Sequence, residues 1–270
     1  MQKDITIALM TCGEETESDC LKSIKCFRSE VDFIEIRNVF PQIKALNKMI
    51  DEVKTEWFIP LDADMVLHED AWARIINALN RHRNNQQWHS ILFPLWDTLT
   101  ERKILALKIL RSKIAKENPF VDSNTPDVEH YQRLTDLGYT CIDDYLKQKP
   151  IGNHVVKGKY FCYFKFKDVY QTYRSYNFEW DSGVFMGGED LRSKAKKHFD
   201  FFLYKFITTN NKDYLYCIAG MIDGIISPLE KKSKTLELKK IKIKSKFAID
   251  EFYRWYMEPM DREGSAVMLF

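Results

Sequence analysis

The sequence predicts an α/β fold, a mostly parallel central sheet flanked by helices, with a helical, aromatic C-terminal extension. Three observations predict it. From residue 4 to residue 95, short apolar and β-branched runs alternate with stretches whose apolar residues recur at helical spacing, the order that a parallel sheet with crossover helices needs. The third apolar run stops in two acids, Asp62 and Asp64. Beyond His154 the chain becomes aromatic, with Tyr160, Phe161, Tyr163, Phe164 and Phe166, and later Phe199, Phe201, Phe202, Tyr204 and Phe206.

Each element has its own signal. Residues 4–12 are dense in apolar and β-branched side chains and Gly13 stops them, as in a buried strand. Ser18 and Asp19 can cap a helix over residues 20–27, where Leu21, Ile24 and Phe27 share a face. A second strand is expected over 31–39, and Pro41 then opens a helix carrying Ile43, Leu46, Met49, Ile50 and Val53. Residues 57–61 form the third strand, 69–81 a helix and 90–95 a fourth strand. There the alternation breaks. Residues 103–116 read as a basic amphipathic helix, 118–126 as a polar loop with two prolines, and 128–137 as a helix ended by Gly138.

Composition bounds the function. A chain of 270 residues with 45% hydrophobic and 14% aromatic residues is too rich in core-forming side chains to be disordered. Lys plus Arg number 41 against 39 Asp plus Glu, so a net charge of +2 gives no global field to recruit nucleic acid. The six cysteines lack a C-x-x-C pair and read as free thiols rather than a zinc site or a disulfide framework. The N-terminal residues show no signal-peptide pattern, and no run approaches the ~18 apolar residues of a membrane span, so a cytoplasmic protein is expected.

Open parallel sheets bind ligands outside the carboxyl ends of their strands, which is where the two acids after Leu61 fall. If residues 62–64 stay extended, the two carboxylates share a face and can hold a hard divalent cation, or divide between a cation and a ribose hydroxyl. Such an ion, Mn2+ or Mg2+, would bridge a diphosphate and neutralise charge on a departing nucleoside diphosphate. A D-x-D standing alone also arises as a solvated turn.

Context narrows the choice. Ala45-Leu46-Asn47-Lys48-Met49-Ile50, followed by Glu56-Trp57-Phe58-Ile59-Pro60-Leu61-Asp62-Ala63-Asp64-Met65-Val66-Leu67, resembles the nucleotide-binding half of glycosyltransferase family 2. In that family an A-x-N-x-G/x-I helix precedes an apolar strand ending in D-x-D. A second block, Asp127-Val128-Glu129-His130-Tyr131-Gln132-Arg133-Leu134 with Gly138-Tyr139, resembles the family's E-D-x-D-L-x-x-R-L-x-x-x-G-Y run.

The resemblance spans roughly residues 5–154 and implies a GT-A, Rossmann-like fold. It also implies metal-dependent, inverting transfer of a sugar from a nucleotide-sugar donor to a hydroxyl of a glycan or lipid-linked acceptor. Asp127 falls at the family's catalytic base, Glu129 is the reserve, and Pro126 replaces the usual preceding glutamate. A sugar hydroxyl is a poor nucleophile, and a carboxylate that takes its proton supplies what the reaction lacks. Asp64, Asp62 and His154 are the implied metal ligands, and Asn47, Asp62 and Arg133 lie on the donor side. Of the family's P-T-Y-N turn after strand one only Thr11 is kept, with Glu14 beside it, and Arg37-Asn38-Val39 replaces the D-D-G-S after strand two. Asn38 or Arg37 can take over contact with the base or ribose. Residues 1–154 are then the nucleotide-sugar-binding and catalytic domain, and 155–270 an acceptor-side or membrane-proximal extension.

Other features read more plainly. Gly187-Gly188-Glu189-Asp190 reads as a helix cap and Asp143-Asp144 as a solvated turn. Between residues 231 and 246 eight lysines face one glutamate, either a surface for an anionic membrane leaflet or a charge-protected edge strand. Three other readings stay open: a D-x-D phosphatase with an aspartyl nucleophile, a nucleotidyltransferase, and a non-catalytic glycan- or membrane-binding protein on the same fold.

Overall fold

The structure is a computed structural model that describes residues 4–123, 125–143, 148–175 and 191–227. The described residues up to Lys157 form one compact unit, and those from Gly158 onward a second.

In the first unit the chain runs β1 (Ile5–Thr11), α1 (Glu17–Ser23), β2 (Asp32–Arg37), α2 (Gln42–Glu52), β3 (Trp57–Asp62), β4 (Met65–Leu67), α3 (Ala71–His82), β5 (Trp88–Asp97) and β6 (Arg102–Arg111). It continues through α4 (Ser112–Glu117), α5 (Pro126–Asp136), β7 (Thr140–Asp143) and β8 (Gly152–His154). These strands make one eight-stranded sheet in the order β2-β1-β3-β6-β5-β8-β4, with β7 also on β5. Pairings β1–β2, β1–β3, β5–β7 and β5–β8 are parallel, while β6 and β4 run against their neighbours.

Successive residues of a strand point to opposite faces, and here both faces are covered. Ile7, Ile59 and Ile109 pack with Ile24, Ile75 and Leu79 on the face of α1 and α3. Their chain neighbours Ala8, Phe58 and Leu110 pack on the other face with Leu46 and Met49 of α2 and with Phe120. Burying a large apolar side chain contributes about 1.5–3 kcal/mol, so these two layers hold the sheet ends in place.

Two expectations about elements change. Residues 103–116 are not one helix: β6 occupies 102–111, paired with β5 from Asp97↔Arg102 to Ser90↔Leu110, and only α4 is helical. With both faces buried, Leu107, Ile109 and Leu110 are all apolar and the strand's period of two is hidden. Helix α1 begins at Glu17, so Ser18 and Asp19 lie inside it rather than cap it, and Thr16 at the N-cap makes no side-chain capping bond.

The second unit contains α6 (Lys159–Ser175), α7 (Leu191–Thr209) and α8 (Asp213–Ile226). Phe166 meets Phe202 edge-on with ring centroids 4.7 Å apart, and the Tyr170 hydroxyl lies 2.9 Å from His198 Nδ1. Helices α6 and α8 touch through backbone, because a Cβ at Gly220 would lie 2.0 Å from the Tyr163 carbonyl oxygen. Among the described residues no helix is long and apolar enough to cross a membrane. The expected cap at Gly187–Asp190, Asp144 and the lysine-rich run 231–246 lie outside the described residues.

Candidate active site

The site is built at the carboxyl edge of the parallel strands. Register places Met10 beside Asp62 and Thr11 beside Arg37, so β1, β2 and β3 end together. Two backbone bonds close this edge: Ala63 N donates to Met10 O (3.1 Å) and Asn38 N donates to Thr11 O (2.9 Å). Asp62 is the last residue of β3, and the chain then turns through Ala63 and Asp64 into β4. The D-x-D is therefore not extended; its second acid is swung round by a turn whose middle residue, Ala63, is fully buried.

That turn carries Asp64 toward His154. Strand β8 runs between β4 and β5, with His154 opposite Met65 on one side and Asp97 on the other. Close approach of β4 demands glycine at 152, since a Cβ there would stand 2.6 Å from the Val66 carbonyl oxygen. Val155 N donates to Asp64 O (2.7 Å) and Thr98 N to His154 O (3.0 Å), so the three segments are tied through their backbones.

The side chains form a line. His154 Nε2 lies 3.0 Å from Asp64 Oδ2, and its Nδ1 lies 2.9 Å from Asp97 Oδ2. The other oxygen of Asp97 accepts from Leu99 N (3.1 Å), Thr100 N (2.7 Å) and the Thr100 hydroxyl (2.9 Å). His154 and Asp97 are buried, while Asp64 keeps some exposure. Beside this line, burial and the neighbouring Asp64 push the Asp62 carboxyl up to about 7, against the opposing pull of His154 and Lys108. A cation bound beside it would favour the ionised form and oppose that shift.

The arrangement fits a divalent ion. Two neighbouring corners of an octahedron with ligand distances of about 2.1 Å are separated by about 3.0 Å, and Asp64 Oδ2 and His154 Nε2 stand 3.0 Å apart. The carboxylate oxygen suits Mn2+ or Mg2+, and the imidazole adds a nitrogen donor at the second corner. Among the described residues no three His, Cys, Asp or Glu side chains make a fuller cluster, so the remaining positions would belong to ligand oxygens and water.

The other expected site residues divide into groups. Thr11 donates toward both Glu14 Oε2 (2.9 Å) and Glu17 Oε2 (2.7 Å), and Cys12 N donates to Glu14 Oε2 (2.8 Å). Arg37 grips Glu17 through both terminal nitrogens, at 3.2 and 2.5 Å, and also pairs with Glu35. Hydrogen bonds from Arg37 and then Thr11 hold the Glu17 carboxyl below the usual range. Asn38 is exposed at the end of β2 with a left-handed φ of 54°. Asn47 is spent on structure: its Nδ2 donates to Phe120 O and its Oδ1 accepts from Phe120 N, both at 2.9 Å.

In α5, Arg133 Nε donates to Glu129 Oε1 (2.8 Å) and a terminal nitrogen donates to Pro119 O (2.8 Å). Glu129 is thus ion-paired. Asp127, in the first turn, is exposed and has no hydrogen bond or ion pair among the described residues. The helix is fixed to the preceding loop by Arg133, by His130 Nε2 at 2.9 Å from Asn118 O, and by stacking of His130 on Phe120 at 4.1 Å.

Asp97 and Glu17 are the site residues that the motifs did not show. Asp97 with Thr100 three residues later is a turn signal, but nothing local joins it to a histidine 57 positions away.

Comparison with known proteins follows the same line. Residues 16–137 match the family model described as Glycosyl transferase family 2. A comparison with curated proteins finds none that matches. Among solved structures, the mannosyltransferase PcManGT from Pyrobaculum calidifontis in complex with GDP-Man and Mn2+ aligns over 84% of this chain and 88% of that one, with TM-score 0.50 and 11% identity. S. aureus TarS 1-349 in complex with UDP aligns over 82% and 91%, with TM-score 0.42 and 11% identity.

The mostly parallel sheet and its flanking helices have the GT-A glycosyltransferase fold. Residues 16–137 match glycosyltransferase family 2, and the chain is a glycosyl-transferring enzyme. This sets aside the phosphatase and nucleotidyltransferase readings.

Proposed function

We propose that the enzyme is a metal-dependent, inverting glycosyltransferase that moves a sugar from a nucleotide-sugar donor to a hydroxyl of a glycan or lipid-linked acceptor. The observation that carries this reading is the line Asp64–His154–Asp97 beside Asp62 at the carboxyl edge of the sheet. The fold shared with PcManGT, solved with GDP-Man and Mn2+, supports a nucleotide-sugar donor and a divalent ion.

Asp64 and His154 would hold the ion, with Asp62 adding negative charge beside them. When bound, Mn2+ or Mg2+ offsets the charge that develops on the departing nucleoside diphosphate. The chain's own residues do the rest. Asp127 is the base: it makes no hydrogen bond or ion pair among the described residues and stands exposed in the first turn of α5. It accepts the acceptor hydroxyl's proton as that oxygen bonds to the anomeric carbon and the carbon–oxygen bond to the diphosphate breaks on the opposite face. Attack from one face with departure from the other inverts the anomeric centre. Glu129 is committed to Arg133 and holds the helix rather than the proton.

For a lipid-linked acceptor, the eight lysines that the sequence carries between residues 231 and 246 would each contribute about 1 kcal/mol of attraction to an anionic leaflet. Flotation with vesicles containing anionic lipid should carry the protein upward at low salt, and neutral vesicles should not; equal flotation on both removes the membrane part of the reading.

A thermal-shift screen of UDP, GDP, ADP, CDP and dTDP, each with and without Mn2+, tests the core of the proposal. One base should raise the melting temperature, only with the ion, because a ligand bound to the native state stabilises it. Asp64→Ala should abolish that rise. The proposal fails if no nucleoside diphosphate shifts the wild type and no nucleotide sugar is slowly hydrolysed, or if Asp64→Ala responds like wild type.

A further inference from the structure

We propose that Asp97 is the positioning residue that fixes the tautomer of His154 and so makes His154 Nε2 a lone-pair donor to a divalent cation. The inference rests on the metal-dependent reading above and assigns to Asp97 a role that no sequence motif gives it.

Three observations support it. The first is register: Asp97 on β5 and His154 on β8 are paired neighbours in a parallel ladder, so their side chains leave the same face of the sheet side by side. The second is that Asp97 cannot turn away. One of its oxygens is held by the Leu99 and Thr100 amides and the Thr100 hydroxyl, which leaves the other directed at Nδ1, 2.9 Å away. The third is burial: Asp97 is 3% exposed and His154 7%, so water does not compete for that bond.

An ionised carboxylate only accepts hydrogen bonds, so the atom facing it must carry the proton. The same rule puts a proton on Nε2 while it faces Asp64 Oδ2 at 3.0 Å, but a cation held by Asp64 would displace that one, and Asp97 keeps the proton on Nδ1, so the neutral ring presents its lone pair at Nε2. A carboxylate behind a ligating histidine also raises the basicity of the ligating nitrogen, and loss of such a partner typically costs 10–100-fold in metal affinity.

Asp97→Asn separates this role from a structural one. The turn amides at Leu99 and Thr100 require an acceptor, so the asparagine oxygen stays with them and its NH2 group faces Nδ1. A donor at that place takes the Nδ1 lone pair and forces the proton onto Nε2, where it blocks a cation. The variant should therefore melt close to wild type but bind Mn2+ 10–100-fold more weakly, read by electron paramagnetic resonance of free Mn2+ with no donor present. In wild type loaded with diamagnetic Mg2+, long-range 1H–15N spectra should show His154 protonated at Nδ1 and not at Nε2. That measurement needs no variant and stands even where Asp97→Asn does not fold.

Equal Mn2+ affinity in wild type and Asp97→Asn, or a wild-type His154 protonated at Nε2 in the Mg2+ form, overturns the assignment of Asp97. If wild type binds no Mn2+, or Asp64→Ala binds it as tightly as wild type does, the metal site itself is wrong and the assignment falls with it.

Discussion

Asp127 and Glu129 stand two positions apart in the first turn of one helix, and their surroundings give them different work. Glu129 and Arg133 form an i,i+4 pair with about a quarter of each side chain exposed, at 27% and 29%. Such a pair contributes about 0.3–1 kcal/mol. Asp127 has solvent on one side and the helix's positive end on the other. Asp127→Asn should therefore lower kcat by about 10²–10⁴, the range for losing a general base, with little change in melting temperature. Glu129→Gln should do the reverse, keeping most of kcat and losing up to about 1 kcal/mol in urea denaturation. A steady-state rate for Asp127→Asn near wild type would move the base elsewhere. At this scale the sequence was informative where chemistry and local pattern coincide: two acids after an apolar strand, and an acid at a helix start, are both local. Asp97 was not legible, because its meaning comes from a partner brought alongside by strand pairing.

Elements were legible in proportion to their length. The first three strands and their helices announce themselves by apolar runs and helical spacing, and the structure places them within a few residues of expectation. Strands β4, β7 and β8 have three or four residues each, too few to show a period, yet β4 and β8 carry the turn that brings Asp64 to His154. Strand β6 was hidden by burial on both faces. The helix α2 shows how an element can serve the site indirectly. Its Asn47 binds both backbone groups of Phe120, whose ring stacks on His130 of α5. Asn47→Ala leaves a part-buried N–H and C=O without partners, a loss of about 1–3 kcal/mol. Because the bonds hold the loop before α5 and not the metal pair, the variant should lower stability and kcat while Mn2+ affinity and donor KM stay near wild type. A donor KM raised tenfold with unchanged stability would instead put Asn47 in contact with the donor.

Across the whole molecule, two buried histidines make stability depend on pH. Burial pushes His89 down to about 4, helped by His130 nearby, and burial does the same to His130, also to about 4, against the pull of its bond to the Asn118 carbonyl. Both rings are therefore neutral in the folded protein over a range where the unfolded chain, with an ordinary value of about 6.5, takes up protons. Above pH 6.5 neither state binds the proton and stability is at its full value. As pH falls from 6.5 to 4 the unfolded state binds more protons, and each histidine removes up to about 1.4 kcal/mol per pH unit. Asp62 works the other way: its folded value of about 7 lies above the unfolded one, so its protonation in the fold adds stability as pH falls toward 4. Two losses against one gain leave a net loss in acid. His89 makes the cleaner test, because neither of its ring nitrogens has a hydrogen-bond partner among the described residues, and its neighbour across the gap is the Tyr131 ring at 5.7 Å. His89→Phe keeps an aromatic ring and removes the titration. Measured by urea unfolding, it should match wild type at pH 8 and exceed it by about 2 kcal/mol at pH 5. Parallel stability curves for the two proteins between pH 5 and 8 would show that the His89 ring charges freely in the fold and that acid acts elsewhere.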